Sequence, residues 1–268
     1  MGRKIWGSII LGLTCLITYA QKPGSDKELR EMQTDRPDVT ESAYTVDYGH
    51  FQYESDAIKL VRNKENDILS HEFFFNLANI KLGITKSTDL QVVVETYIIN
   101  ESKNTLTQVS NKTSGFGDLT LRIKQNIWGN TGGKSALAVM PYLTIPTSKF
   151  TLDKRVEGGI IFPFALELKN DWNFGAQVQL DFLKMDNGKA YQNQVLNSIT
   201  FGKKLNDKFN AFAETFYTYT FKEEKFDAGF NGGLIYSVSD NFKLDAGFNY
   251  GLTKSSDKIY FVGFSFRY

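Results

Sequence analysis

The sequence predicts an all-β protein: a transmembrane antiparallel up-and-down β-barrel of about twelve strands. Three observations favour this fold class. From Gly49 to Tyr268 the chain is a series of segments, each roughly ten residues long, in which apolar and polar residues alternate. These segments are longer than most strands of water-soluble proteins, and Gly, Asn, Asp, Lys and Ser separate them. No apolar run reaches the roughly 18–20 residues that a membrane-spanning helix requires.

The segment from Trp172 to Phe182 shows the alternation most clearly. Its even-numbered residues are all apolar, and its odd-numbered residues are Asn, Gly, Gln, Gln and Asp. Side chains of a strand point to opposite faces in turn, so one face is apolar and the other polar. A soluble β-sandwich would also alternate. However, eleven residues at about 3.3 Å each, tilted near 45°, cover about 25 Å, which is the height of an outer-membrane apolar band.

Twelve such segments are predicted, and ten or fourteen strands are the alternatives because the first and eighth segments are weak. Their connections are short at one end of the barrel. At the other end longer loops are expected, and this asymmetry places both termini on the periplasmic side. The expected longer loops are Leu60–Leu69, Asn100–Phe116, Thr147–Val156 and Lys184–Asn193. The predicted strands are 49–59, 70–83, 89–99, 117–128, 135–146, 157–168, 172–183, 194–203, 208–221, 226–237, 242–252 and 258–268.

The N-terminal residues divide into a leader and an extension. Residues 1–20 have the pattern of a secretory signal peptide: Arg3 and Lys4, an uncharged apolar stretch, and small residues ending at Ala20. Residues 21–48 are rich in charge, mostly acidic, and have no clear period. Residues 49–268 form the predicted barrel. We therefore expect export to the outer membrane of a Gram-negative-type bacterium.

Composition narrows the function. Without Arg3 and Lys4 the chain holds 29 basic and 30 acidic residues, and nucleic-acid binding requires a clear basic excess. Cys15, the one cysteine, lies in the leader. The chain also has only two histidines, so neither a metal site nor a cofactor is expected. The expected partners are outer-membrane lipid and an unidentified small solute, with no nucleic acid.

Two motifs resemble a known family. Thr34-Asp35-Arg36-Pro37-Asp38-Val39-Thr40-Glu41-Ser42, followed by Gly49-His50-Phe51-Gln52, resembles the opening of the outer-membrane family labelled "putative MetA-pathway of phenol degradation". Gly115–Arg122 is similar to a second motif of that family. The resemblance implies a transporter-like barrel for aromatic or other hydrophobic compounds. The closing Phe264, Phe266 and Tyr268 are similar to the C-terminal signal that the barrel-assembly machinery reads.

The polar face of the strands supplies the candidate site. In a barrel these side chains face the lumen, because a charge on the lipid face near mid-membrane costs about 2–4 kcal/mol. We expect part of residues 21–48 to enter the lumen as a plug through Asp35, Arg36, Asp38 and Glu41, with a flexible periplasmic tail as the alternative. Arg122, Lys124 and Arg267 are its expected partners. The candidate lumen-lining residues along the solute path are Glu95, Arg122, Lys124, Gln177, Asp181, Glu214, Asp227, Asn231, Lys243, Asp245, Asn249 and Arg267.

Three functional classes follow from this arrangement. The favoured one is a passive channel or transporter for small, aromatic or hydrophobic solutes. The runner-up is a closed structural or partner-binding barrel without transport. An enzyme is not expected, because a serine hydrolase needs a histidine beside its nucleophile, and His71-Glu72-Phe73 does not resemble such a motif.

Overall fold

The computed structural model describes residues 29–185, 190–253 and 256–268. The predicted leader and residues 21–28 lie outside the described residues. Contacts divide the chain into Met1–Glu31 and Met32–Tyr268, and all strands belong to the second unit. The described part of the chain contains no helix that is long and apolar enough to cross a membrane.

Thirteen antiparallel strands form one sheet within the described residues. Each alternates apolar with polar residues over most of its length, which is why it forms a strand with two unlike faces. In chain order they are β1 (Phe51–Glu65), β2 (Ile68–Gly83), β3 (Thr88–Asn104), β4 (Ser110–Gly115), β5 (Leu119–Trp128), β6 (Ser135–Ile145), β7 (Glu157–Glu167), β8 (Trp172–Lys184), β9 (Tyr191–Lys204), β10 (Phe209–Thr220), β11 (Lys225–Ser239), β12 (Phe242–Gly251) and β13 (Lys258–Arg267).

The sheet closes into a barrel of twelve positions. β1 pairs with β13 from Gln52 opposite Arg267 to Arg62 opposite Lys258, so neither strand is left with a free edge. β4 and β5 share one position, because both pair with β3, β4 along its last part and β5 along its first. The prediction of a closed antiparallel barrel of about twelve strands is confirmed. We call the end with Phe51 and Tyr268 the proximal end and the opposite end the distal end.

The prediction of two long loops is wrong. The segment Leu60–Leu69 is strand except for a two-residue turn, in which Asn66 and Asp67 have φ of 45° and 62°. The segment Asn100–Phe116 is a hairpin formed by the end of β3 and by β4. The middle part of each stretch is mostly polar on both faces, so the ladder continues where the apolar alternation stops. The pattern therefore marks where apolar faces end, while the hydrogen bonds of the strands extend further.

The two faces of the wall differ as the alternation requires. On β8 the side chains of Val178, Leu180 and Phe182 are 45%, 43% and 52% exposed, whereas Gln177 and Asp181 are buried. Apolar side chains thus cover the outside, and polar ones are enclosed. Aromatic side chains lie near both ends of the strands. Toward the proximal end these are the exposed Trp128, Trp172, Phe209 and Tyr268 and the partly buried Phe242; toward the distal end they are the exposed Phe182, Phe221, Phe226, Tyr250 and Tyr260. This inverted arrangement suits a surface in contact with lipid.

Replacing an outward residue of β8 tests this orientation. We expect Val178→Arg to destabilise the barrel by about 2–4 kcal/mol, because the guanidinium would enter hydrocarbon between the aromatic ends of the strand. Gln179→Arg is the matched control, because its side chain lies inside, 2.8 Å from Asp181. Urea unfolding in lipid vesicles measures both variants. Equal destabilisation by the two would contradict the assigned faces.

Candidate functional site: the barrel lumen

Residues 32–48, which we call the inner segment, form a loop that enters and leaves the barrel at its proximal end. At its start, Lys243 Nζ donates to the Met32 carbonyl at 2.6 Å, and Gln52 Nε2 donates to the Gln33 carbonyl at 2.7 Å. At its end, Tyr48 bridges to Gly83, the last residue of β2. Between these points the segment contacts inward side chains of most of the wall. It therefore narrows the lumen from the proximal side.

Asp35 lies at the centre of a buried cluster of charges. Its carboxylate contacts the ammonium groups of Lys81 and Lys124, and Lys81 also contacts Glu54. All four side chains are buried, and the Asp35 amide donates to Glu54 Oε2 at 3.0 Å. Burial raises the pKa of the Asp35 carboxyl, but the charges of Lys124 and Lys81 outweigh this effect and hold it well below its usual range. The Asp35 carboxylate is therefore ionised, and its contacts with Lys81 and Lys124 hold the inner segment against the wall.

Arg36 joins the segment to two opposite-charge partners on different strands. Its guanidinium binds Asp56 of β1 at 2.5 Å and Asp245 of β12 at 2.6 Å. A Cβ atom at Gly263 of β13 would overlap this guanidinium, so the glycine leaves room for it. The guanidinium also lies 5.8 Å from the centre of the Phe261 ring. Arg36 thus fixes the segment against the wall where β1, β12 and β13 meet.

Glu214 of β10 receives the tip of the segment. It accepts the backbone amides of Val39 and Thr40, each at 2.7 Å, and the Thr40 hydroxyl at 2.6 Å. Asn231 Nδ2 donates to it at 2.8 Å. Four donors satisfy this buried carboxylate without a basic partner. Burial and the nearby charge of Glu214 raise the pKa of Asp38 well above its usual range.

The expected basic partners lie beside the segment, although not all at the expected residues. Arg122 binds Glu41 at 2.7 Å, and Lys124 binds Asp35. Arg267 binds Asp47 at 2.9 Å instead of one of the four predicted contacts. The Glu41 amide also donates to Gln177 Oε1 at 2.7 Å. The lumen therefore offers a partner to nearly every charge of the motif that resembles the family opening.

The other predicted lumen residues have inward side chains but do not all meet the segment. Glu95 accepts the Asp118 amide, and Asp181 accepts Tyr142 Oη and Gln179 Nε2. Asp227 pairs with Lys225 at 3.3 Å near the distal end. The sequence Asp-Ala-Gly-Phe-Asn occurs at residues 227–231 and again at 245–249, on the paired strands β11 and β12. The aspartates of the two copies have different partners, Lys225 for Asp227 and Arg36 for Asp245.

Sequence reasoning missed four charged residues of the wall that contact the inner segment: Glu54, Asp56, Lys81 and Asp89. Asp89 Oδ2 accepts the Val46 amide at 2.9 Å, and the others pair as described above. All four occupy the polar face of β1, β2 or β3. The alternation of polar and apolar residues in these strands could have identified them, because each lies at a polar position. β1 was a weak segment because its polar face carries consecutive charges and its apolar face is sparse.

Two neighbouring cavities remain between the inner segment and the distal end. The distal cavity has a volume of about 420 Å³, and the inner cavity, whose floor is the segment, about 290 Å³. Asn249 and Ile259 line both. Among the described residues no cluster of His, Asp and Glu could hold a metal ion. His50 lies against the Tyr48 carbonyl and His71 against Arg62, and both contacts are exposed.

A closed barrel with an apolar outside and a charged inside defines a membrane-spanning β-barrel protein. Residues 34–268 match the family model described as "Putative MetA-pathway of phenol degradation". Because this match spans most of the chain, the protein belongs to that family. The resemblance carried by the two motifs is thereby confirmed. Among curated proteins, no sequence matches the chain.

Solved structures of similar fold are outer-membrane barrels. The NanC porin is 10% identical and aligns over 80% of this chain and 98% of its own, with a TM-score of 0.52. The transport unit of the autotransporter AIDA-I from Escherichia coli is 10% identical and aligns over 98% of this chain and 97% of its own, with a TM-score of 0.50. At these identities the likeness establishes the fold alone.

Neutralising Asp35 tests the buried cluster. We expect Asp35→Asn to weaken the docking of the inner segment by about 3–5 kcal/mol, because two buried ammonium groups would lose a carboxylate. Hydrogen exchange at the Val39 and Thr40 amides measures this effect. Glu101→Gln, which removes the exposed ion pair with Lys112, is the control and should leave exchange unchanged. Unchanged protection in Asp35→Asn would show that the cluster does not hold the segment.

Proposed function

We propose that the protein is a passive outer-membrane channel for small solutes, with the inner segment restricting its proximal end. The observation that carries this proposal is the pair of neighbouring cavities, both lined by Asn249 and Ile259, between the distal end and the floor formed by residues 35–41. A structural barrel whose lumen is filled by its own side chains would lack such a cavity. Polar and charged groups line the cavity, and water-filled channels of this class have polar interiors.

The proposed location is the outer membrane of a Gram-negative-type bacterium, with both termini in the periplasm. The apolar exterior, the family and the predicted leader support it. Phe264, Phe266 and Tyr268 lie on the outward face of β13 and its end, where the barrel-assembly machinery would bind them. In this orientation solutes enter the distal cavity from outside the cell. They then meet the inner segment before reaching the periplasm.

The proposed solutes carry an aromatic or other apolar part. Support comes from apolar side chains inside the lumen, where the alternation alone would place polar ones. Phe216 lines the distal cavity, and Leu77, Val93 and Phe261 line the inner one. The family's description agrees in naming phenol degradation. No side chain in the described lumen forms a site with features specific to phenol, so the proposal is for the wider class.

A closed barrel without transport is the second candidate. It is favoured by the number of bonds that hold the inner segment, which include the buried contacts of Asp35 and the two salt bridges of Arg36. Catalysis is not proposed. The exposed His50 and His71 contact the Tyr48 carbonyl and Arg62, and neither bond has the geometry of a nucleophile activated by a base.

Conductance in planar bilayers tests the channel. We expect discrete openings from the folded chain lacking residues 1–20, and a severalfold larger conductance after deletion of residues 32–46. The deletion keeps Asp47 and Tyr48, which contact Arg267 and Gly83. Absence of both conductance and solute flux from the intact folded barrel would overturn the proposal in favour of the closed barrel.

A reversible crosslink is the control for barrel damage. The hydroxyls of Thr40 and Ser198 lie 2.7 Å apart, so the double variant T40C/S198C can join the segment to β9. The leader holds the chain's one cysteine, so no native thiol competes. Oxidation should keep the conductance of the intact chain. A rise on oxidation as large as that of the deletion would show that altered packing, rather than removal of the segment, opens the lumen.

A further inference from the structure

The distal cavity has more acidic than basic side chains. Its described lining includes three carboxylates, Glu65, Asp227 and Asp257, and one base, Lys225. Lys225 pairs with Asp227 at 3.3 Å, and Asn63 donates to Asp257 at 2.7 Å. Glu65 is exposed at the end of β1. A solute entering from the distal end therefore first meets a negative wall.

The lining of the inner cavity also has more acidic than basic side chains. Its described lining includes five carboxylates from the inner segment and β1, against three bases, Arg36, Lys59 and Arg122. Two of these bases are already bound: Arg36 to Asp56 and Asp245, and Arg122 to Glu41. Lys59 lies 5.6 Å from the centre of the Phe74 ring. The two cavities together thus present eight carboxylates and four bases.

Charges just behind the floor do not remove this excess. Lys81 and Lys124 contribute two positive charges there, and Glu214 and Asp245 contribute two negative ones. The whole chain is nearly neutral, with 31 basic and 30 acidic residues. The negative excess is therefore a local property of the lumen. Low-dielectric walls concentrate the field of such an excess and raise the local concentration of ions of opposite sign.

Asp38 is the acidic group of the floor that has no basic partner. It forms no ion pair within the described part of the chain, and its carboxylate neighbours are Glu214 and Glu41. It lines the inner cavity together with Asn231 and Asn249. A cation placed there would relieve the repulsion among these carboxyl groups and favour the ionised form of Asp38, whereas an anion would add to the repulsion.

Apolar side chains complete the chemistry of the lumen. Ile259 lines both cavities, Phe216 lines the distal one and Phe261 the inner one. Arg36 lies near the ring of Phe261, which lines the inner cavity, so this ring already accepts a cationic group of the protein itself. The lining thus combines negative charge with aromatic surface.

We propose that the lumen is selective for cations and that its preferred solute is an organic ammonium ion with an aromatic or apolar body. The ammonium group would lie among the carboxylates and the body against Phe216, Ile259 and Phe261. This inference rests on the proposed function for the solute's passage. Binding in the cavity, however, requires only access from the distal end.

Equilibrium dialysis of the folded full chain in a zwitterionic detergent tests binding without transport. The probes are benzyltrimethylammonium, benzyl alcohol and benzoate, which share one ring and differ in charge. We expect the ammonium ion to bind at least about tenfold more tightly than the other two. Equal binding of benzyl alcohol would show that only the ring is recognised, and tighter binding of benzoate would reverse the sign. Either result overturns the proposal.

Matched variants locate the effect. Asp38→Asn and Glu65→Gln should each weaken ammonium binding about threefold to tenfold and reduce the preference for K⁺ over Cl⁻ in bilayers. Asp240→Asn removes the same charge from an exposed turn at the proximal end and should change neither. The preference should fall as salt rises, because salt screens exposed charges. If dialysis shows ammonium binding but bilayers show no conductance, the proposed channel is contradicted, whereas the proposed preference for cations is supported. If Asp240→Asn matches the other two variants, the lumen is not the source of the preference.

Discussion

Every backbone amide and carbonyl within the hydrocarbon of a membrane must find its partner inside the protein, and the rest of this structure depends on that constraint. A sheet can meet it only by closing, as β1 and β13 do through their continuous pairing. Closure with period-two strands then forces alternate side chains inward. The polar face of each strand becomes the wall of a lumen whether or not its charges are neutralised there.

The inner segment supplies partners for the charged side chains that barrel closure encloses. Inward lysines such as Lys81 and Lys124 are buried, and an unpaired buried ammonium would be strongly destabilising. Asp35 lies between them, and Arg36 performs the converse role for Asp56 and Asp245. Glu214 is satisfied differently, by backbone amides and a hydroxyl. The segment and the wall therefore stabilise each other, and removing one partner leaves a buried charge on the other.

Neutralisation is uneven along the axis, and this unevenness links the fold to the proposed function. Most acidic side chains around the inner segment have a basic partner or backbone donors, as Asp35 and Glu214 do. In the linings of the two cavities, however, carboxylates outnumber bases, and apolar rings lie among them. The same alternation that builds the wall thus leaves a cavity with one predominant sign of charge. Solute charge becomes the property by which such a lumen would discriminate.

The fold could be read from the residues themselves because alternation is local: each strand carries its own two faces, and twelve of them in succession require a barrel. Strand ends were less predictable, as Leu60–Leu69 and Asn100–Phe116 illustrate, because backbone pairing continues where apolar faces stop. The lumen-facing residues also followed from parity. Their partners did not, since Arg36 and Asp245 are 209 residues apart and nothing local relates them. Only barrel closure and the path of the inner segment decide which charges meet, because pairing depends on distances that the whole ring of strands sets.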